Sequence, residues 1–268
     1  MRDFLSVAIC VIVSLILLAL ASRYVSGIWI FATLHSLQFH LSLASALALL
    51  CTLVLKRAFL PLGLLLLALA LLGHSIWMSR DMVQSAEAAQ PGDRVLKLMS
   101  FNILTSNSQN ASAIAELILA SGSDVVNIME AEPLAAHLEA LSAVYPYRIG
   151  CGEMTRECDL MMLSKLPFAE RTTKSLSHVF EERMMVAELP FNGRSLHVAA
   201  IHTTKPYFDN FQSLELENAA ELLGALDGPL VVSGDFNASS LAPNMRRFLR
   251  ATGLRSGRHE PATWPVRA

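Results

Sequence analysis

The chain has 268 residues, 21 of them basic and 23 acidic, and this near-neutral balance excludes the strongly basic face of an obligate nucleic-acid binder. At 53% hydrophobic, with a mean hydropathy of +0.44, it is more apolar than a soluble enzyme, and the excess lies before residue 80. The rest of the chain is long enough to bury a core of its own.

Phe4 to Leu20, Ser36 to Leu55 and Ala58 to Met78 each approach the ~20 apolar residues a membrane-spanning helix needs. None shows the polar stripe of a core helix, so residues 1–80 are expected to cross a bilayer three times. Arg2, Lys56 and Arg57 fall on one side of that arrangement, and Arg23 and Arg80 on the other. This distribution puts the N-terminus inside and everything after residue 80 outside. Ala19-Leu20-Ala21 could be cleaved as the end of a signal peptide, but Asp3 disfavours the positively charged leader this requires. Either way the C-terminal part ends outside. The span cores hold no charged residue, which argues against a transport pathway.

Residues 81–93, rich in Ser, Ala, Gln, Pro and Gly, read as a linker, and residues 94–268 as a second domain. Val95 to Asn102 reads as a strand ending in a carboxamide. A helix over Ala113 to Ala120 follows, with Asn110 and Ser112 as candidate caps and Gly122 just past its end. Val125 to Met129 is a second strand, ending at Glu130. A strand–helix–strand unit favours parallel neighbours, which brings Asn102 and Glu130 to one edge. Cys151 and Cys158 bracket a polar loop that a disulfide would close in an oxidising compartment.

Leu160 to Leu163 is the next apolar strand. Met184 to Leu189 and Ser195 to Ile201 form a hairpin about Asn192-Gly193, and the return strand ends at His202. A helix over Gln212 to Leu226 leads into Leu230-Val231-Val232, a continuous apolar run of the kind found in strands buried on both faces. Gly234, Asp235, Phe236 and Asn237 follow. If the backbone stays extended there, Asp235 and Asn237 point one way and Phe236 the other. Arg246, Arg247, Arg250, Arg255 and Arg258 form a basic cluster, read as a solvated helix face and tail.

Asn102, Glu130, His202, Asp235 and Asn237 therefore converge from separate strand ends. An oxygen-rich set with one imidazole and no thiolate suits a hard divalent cation, magnesium or manganese, and so phosphoryl chemistry. Five segments carry the pattern in order: Lys97 to Leu104, Asp124 to Glu130, Leu160 to Pro167, His197 to His202 and Ser233 to Ala238. Together they resemble the endonuclease/exonuclease/phosphatase superfamily.

That resemblance implies an α/β fold, a four-layer sandwich of two packed sheets flanked by helices behind the N-terminal transmembrane helices, and metal-dependent hydrolysis of phosphate esters. It assigns metal binding to Glu130 with Asn102, water activation to Asp235, orientation of water and phosphate to Asn237, and phosphate contact to His202. It also implies a bacterial inner-membrane protein with the catalytic domain outside and a phosphate ester (nucleic acid, lipid head group or small molecule) as substrate. Two departures stand out. Met129 replaces the family's Gln before the metal-binding Glu. No Asp-His pair follows Thr263-Trp264-Pro265, and His259 before Glu260 is a poor substitute, so the sandwich is expected to be incomplete at its C-terminus. The competing expectation is a catalytically impaired domain acting as a membrane-bound binding protein.

Overall fold

A computed structural model describes residues 2–84 and 94–257. Most of the expected linker, residues 85–93, and the segment carrying His259, Glu260 and Trp264 lie outside the described residues. Contacts divide the chain into two units. One comprises Met1–Glu87, Pro206–Ser213 and Ala238–Ala268, and the other Ala88–Lys205 and Leu214–Asn237.

The first unit opens with α1 (Arg2–Ala21), α2 (Ala32–Ser36), α3 (Gln38–Leu55) and α4 (Phe59–Asp81). Residues 2–24, α3 and α4 are each long and apolar enough to cross a membrane. α3 runs against α1 and α4. At one end Arg2 donates to the Leu55 carbonyl at 2.5 Å and Lys56 pairs with Asp3 at 2.8 Å, while at the other Arg23 donates to the Gln38 carboxamide. Leu17, Leu20, Leu49, Ala68 and Leu71 meet in the middle. The outward faces remain apolar, with Leu18 70% and Leu66 62% exposed, which is costly in water and costless in hydrocarbon.

The second unit holds two mixed four-stranded sheets. The first, in spatial order β1-β2-β4-β3, is built from β1 (Leu98–Asn102), β2 (Val125–Met129), β3 (Tyr147–Gly150) and β4 (Leu160–Ser164). The second, in order β5-β6-β7-β8, is built from β5 (Glu170–Lys174), β6 (Met184–Phe191), β7 (Arg194–His202) and β8 (Leu230–Asp235). A helix crossover makes each functional pair parallel. α5 (Ala111–Ala120) sets Asn102 opposite Met129, and the connection through α7 (Phe211–Gly224) sets His202 opposite Asp235. The short α6 (Leu138–Ser142) lies between β2 and β3.

Strand alternation separates two cores. Val126, Ile128, Met161 and Leu163 pack against Ile118 and Leu141 of the helical layer, whereas Val125, Met129, Leu160 and Met162 pack against Met185 and Val198 of the facing sheet. The β6–β7 hairpin turns on Asn192 and Gly193 at φ 52° and 72°, as a two-residue primed turn requires. Cys151 and Cys158 are disulfide-bonded, closing the loop between β3 and β4. Asn110 precedes α5, but its side chain bonds Asn107 Oδ1 at 2.6 Å rather than the helix, because a 3₁₀ turn over Ser108–Asn110 leads the chain in.

Three expectations change here. Among the described residues β8 is the margin of its sheet, and all six of its residues are only half-buried. The apolar run Leu230-Val231-Val232 thus packs on a strand with one neighbour among the described residues, and β7, buried from Val198 to His202, takes the inner place. Regular strand geometry also stops at Asp235. Asn237 adopts φ 47°, so its side chain is placed by a turn and not by strand alternation. After this turn the chain returns to the first unit as α8 (Pro243–Thr252), in which Arg246 is 4% exposed rather than solvated.

Gly234 is required where it stands. Its φ is +153°, and a Cβ there would collide with the Ile201 carbonyl of β7. Gly234→Ala is expected to cost about 2–4 kcal/mol, the range of a severe backbone and packing clash, read as a lowered unfolding midpoint of the purified full chain.

Candidate active site

All five candidate residues lie in the second unit, at the C-terminal ends of the parallel pairs β1–β2 and β7–β8. The side chain of Asn102 is the centre of the arrangement. Its Nδ2 donates to Glu130 Oε1 at 2.9 Å and to Asp235 Oδ2 at 3.1 Å, while its Oδ1 accepts the Leu104 amide at 2.9 Å. One amide nitrogen thus touches a carboxylate from each sheet.

Glu130 follows β2 directly and holds φ 54°, a left-handed conformation uncommon for a side-chain-bearing residue. Its Oε2 accepts the Thr105 amide at 2.9 Å. Partial burial pushes its pKa up. The Asn102 and Thr105 hydrogen bonds and the charges of His202 and Lys205 outweigh burial, so the carboxyl lies below its ordinary value. The supporting bond that a Gln at position 129 would give is not needed to satisfy Glu130, whose two oxygens both have donors. Met129 instead fills the inter-sheet core.

Asp235 Oδ1 accepts the Asn237 amide at 3.0 Å, closing an Asx turn. The Asn237 carboxamide in turn donates to the Thr203 carbonyl at 2.9 Å. His202 is 3% exposed, and its Nδ1 lies 2.8 Å from Asp159 Oδ2. Asp159 is also bound by Arg183 through Nε at 2.9 Å and Nη2 at 3.0 Å, a bidentate pair, with that guanidinium 3.7 Å from the centre of the Phe180 ring. Burial alone would raise the Asp159 pKa, but His202 and Arg183 together hold it below the ordinary carboxylate value.

Sequence reasoning did not reach Asp159, Arg183 or Thr105. Asp159 stands immediately before β4, and its position was legible only if β4 was known to run antiparallel to β2. That orientation carries the start of β4 to the edge where β2 ends, with Leu160 opposite Met129. Thr105 acts through its backbone amide, which no residue type announces.

The donor chemistry fits a hard divalent cation. The Glu130 and Asp235 carboxylates converge on the Asn102 amide nitrogen, hard oxygens with no thiolate beside them, while the Asn102 carbonyl oxygen is turned to the Leu104 amide. Two carboxylates share a single neutral amide, which leaves negative charge for a cation to balance.

The model of the Endonuclease/Exonuclease/phosphatase family matches residues 99–268. No curated protein matches the sequence. Among solved structures, beta toxin from Staphylococcus aureus, in a mutant form with bound magnesium ions, is 16% identical with a TM-score of 0.50, over 61% of this chain and 72% of that one. SmcL is 17% identical with a TM-score of 0.50, over 65% and 75%. D. rerio TDP2 complexed with a single-strand DNA product is 14% identical with a TM-score of 0.49, over 61% and 67%. At these identities the likeness to beta toxin and SmcL shows the fold alone.

The His202–Asp159 contact has a pH consequence. A carboxyl whose folded pKa is depressed stabilises the fold above its unfolded value of about 3.9 and loses that contribution as pH falls through the folded value. Asp159→Asn is therefore expected to lower stability by about 1–3 kcal/mol at pH 7. The gap from the parent should close as the solution is acidified below pH ~3.9, measured as unfolding midpoints across pH.

Proposed function

The chain belongs to the Endonuclease/Exonuclease/phosphatase family, and from that premise we propose that it is a membrane-anchored, divalent-metal-dependent hydrolase of phosphate esters. The observation that carries this reading is the shared contact of Asn102 with Glu130 and Asp235, which gathers an oxygen-rich set at one sheet edge. The proposed anchor is residues 1–80, whose three long apolar helices suit a bilayer. The proposed hydrolytic domain begins at residue 94.

In this reading Glu130 and Asn102 would hold the cation, magnesium or manganese. When bound it supplies neutralisation of phosphate oxygens and of developing charge. Asn102 keeps the Glu130 and Asp235 carboxylates apart yet within one site. Asp235 accepts a proton from the attacking water as the new O–P bond forms and the ester P–O bond breaks. The leaving oxygen takes its proton from solvent. The Asn237 backbone amide fixes one Asp235 oxygen and the Asn102 amide the other, and the Asn237 side chain orients water and phosphate.

His202 presents its Nε2 edge to the phosphate, because Nδ1 is committed to Asp159. Asp159 acts as a positioning residue, itself locked by Arg183. Lys205, exposed and close enough to lower the Glu130 pKa, adds positive charge where an anionic substrate arrives. A phosphodiester or phosphomonoester of lipid, nucleic-acid or small-molecule origin satisfies this chemistry.

The test is metal-dependent release of product from a generic phosphodiester by the full chain in detergent. Glu130→Ala and Asp235→Ala are each expected to reduce the rate by about 10²–10⁴-fold, the usual contribution of a positioned acid–base or charge-stabilising group. Chelation should abolish turnover, and calorimetry should show magnesium binding to the parent and not to Glu130→Ala. Equal rates in all three proteins would remove the claim. Magnesium binding without turnover would favour a binding role instead.

A further inference from the structure

We infer that α8 and the turn after α1 form a basic, aromatic collar that docks on the anionic headgroup layer of a bilayer. The inference rests on α1, α3 and α4 crossing the membrane and is independent of the hydrolase reading.

The collar's position follows from contacts within the first unit. Arg246, on α8, donates to the Met78 carbonyl at 3.0 Å and pairs with Asp81 at 2.7 Å, with its guanidinium 6.0 Å from the centre of the Trp77 ring. Arg23 donates to the Leu241 carbonyl at 2.8 Å, and Ser239 Oγ donates to the Ser36 carbonyl at 2.9 Å. Arg255 donates to the Asp81 carbonyl at 2.8 Å. Five fastenings thus tie α8 and its flanks to the level where α1 and α4 end and α3 begins. For helices that cross a bilayer, this is headgroup depth.

Fixing one face of α8 there determines what the other offers. Met245, Phe248 and Leu249 are buried, whereas Arg247 and Arg250, one turn apart, are exposed. Among the described residues neither guanidinium has an acidic partner, since Asp81 is taken by Arg246. Arg247 lies over the turn after α1, its Nη1 only 3.0 Å from where a Cβ on Gly27 would sit. That turn exposes Tyr24, Val25, Ile28 and Ile30 by 58, 90, 49 and 59%, and Trp77 beside it by 53%.

Large apolar and aromatic side chains exposed beside unpaired guanidiniums are costly in free water. They are the composition of a membrane interface, where rings sit among headgroups and cations meet lipid phosphates. Nucleic acid would account for the arginines but not for Val25, Ile28 and Ile30. The occupant is the bilayer surface.

The test is native mass spectrometry of the full chain released from detergent containing equal phosphatidylglycerol and phosphatidylcholine. The parent is expected to retain phosphatidylglycerol in preference. Arg247→Gln with Arg250→Gln should reduce that retention about tenfold or more, and Arg247→Lys with Arg250→Lys should preserve it. Lys56→Gln with Arg57→Gln, at the opposite end of the bundle, should leave it unchanged. Undiminished retention in the Gln pair, equal loss in the Gln and Lys pairs, or equal loss in the Lys56/Arg57 variant would each overturn the proposal. Resistance of the parent to alkaline extraction from membranes reports the crossing separately, so failure of the collar is distinguishable from failure of the anchor.

Discussion

Glu130 and Asp235 come from different sheets and carry like charge, so the sandwich brings together two groups that repel. At a few ångströms, in surroundings less polar than water, such a pair costs several kcal/mol if left alone. The Asn102 amide lies between them and donates to both, and each carboxylate takes a second hydrogen bond from a backbone amide, Thr105 for one and Asn237 for the other. Deeper in the sandwich, Asn127 Nδ2 donates to Ser233 Oγ at 2.8 Å, tying the same two strands, β2 and β8, behind the site. Holding the sheets together and holding the carboxylates together are thus one structural task. In the proposed reading a cation would complete the neutralisation that the amides begin.

The left-handed backbone at Glu130 and Asn237 belongs to the same economy. Each stands just beyond a strand whose residues are committed to the core or the ladder, and each must leave that strand sharply to bring its functional groups to the rim. Gly234 has a related task one step earlier, letting β8 approach β7 closely so that His202 and Asp235 lie opposite each other.

Much of this was legible in the sequence because strand ends are local. The strands read over 95–102, 125–129 and 195–201 lead into Asn102, Glu130 and His202, and the Asn192-Gly193 turn fixes the hairpin that delivers one of them. What escaped is non-local. Asp159 precedes a strand of unremarkable composition, and only the antiparallel pairing of β4 with β2 carries it to His202. The apolar run of β8 looked like a doubly buried strand, but composition does not record how many neighbours a strand has. Arg246 looked solvated beside four other arginines, and its burial depends on Asp81 and Met78, more than 160 residues away in sequence. The short strands β3 and β5 are too polar or too brief to show a period.

The division of the chain into interleaved units has a consequence for assembly. Arg23 and the Leu241 carbonyl are 218 residues apart, yet they fasten one end of the helical bundle. The early helices, long and apolar enough to cross a membrane, emerge first, but their capping helix arrives only after all eight described strands have been made. Closing so long a loop is entropically expensive unless the intervening chain is already compact. Assembly therefore has a built-in order: the early helices first, then collapse of the sandwich, and last the locking of the bundle. A sandwich that fails to fold leaves the three long apolar helices without their clasp.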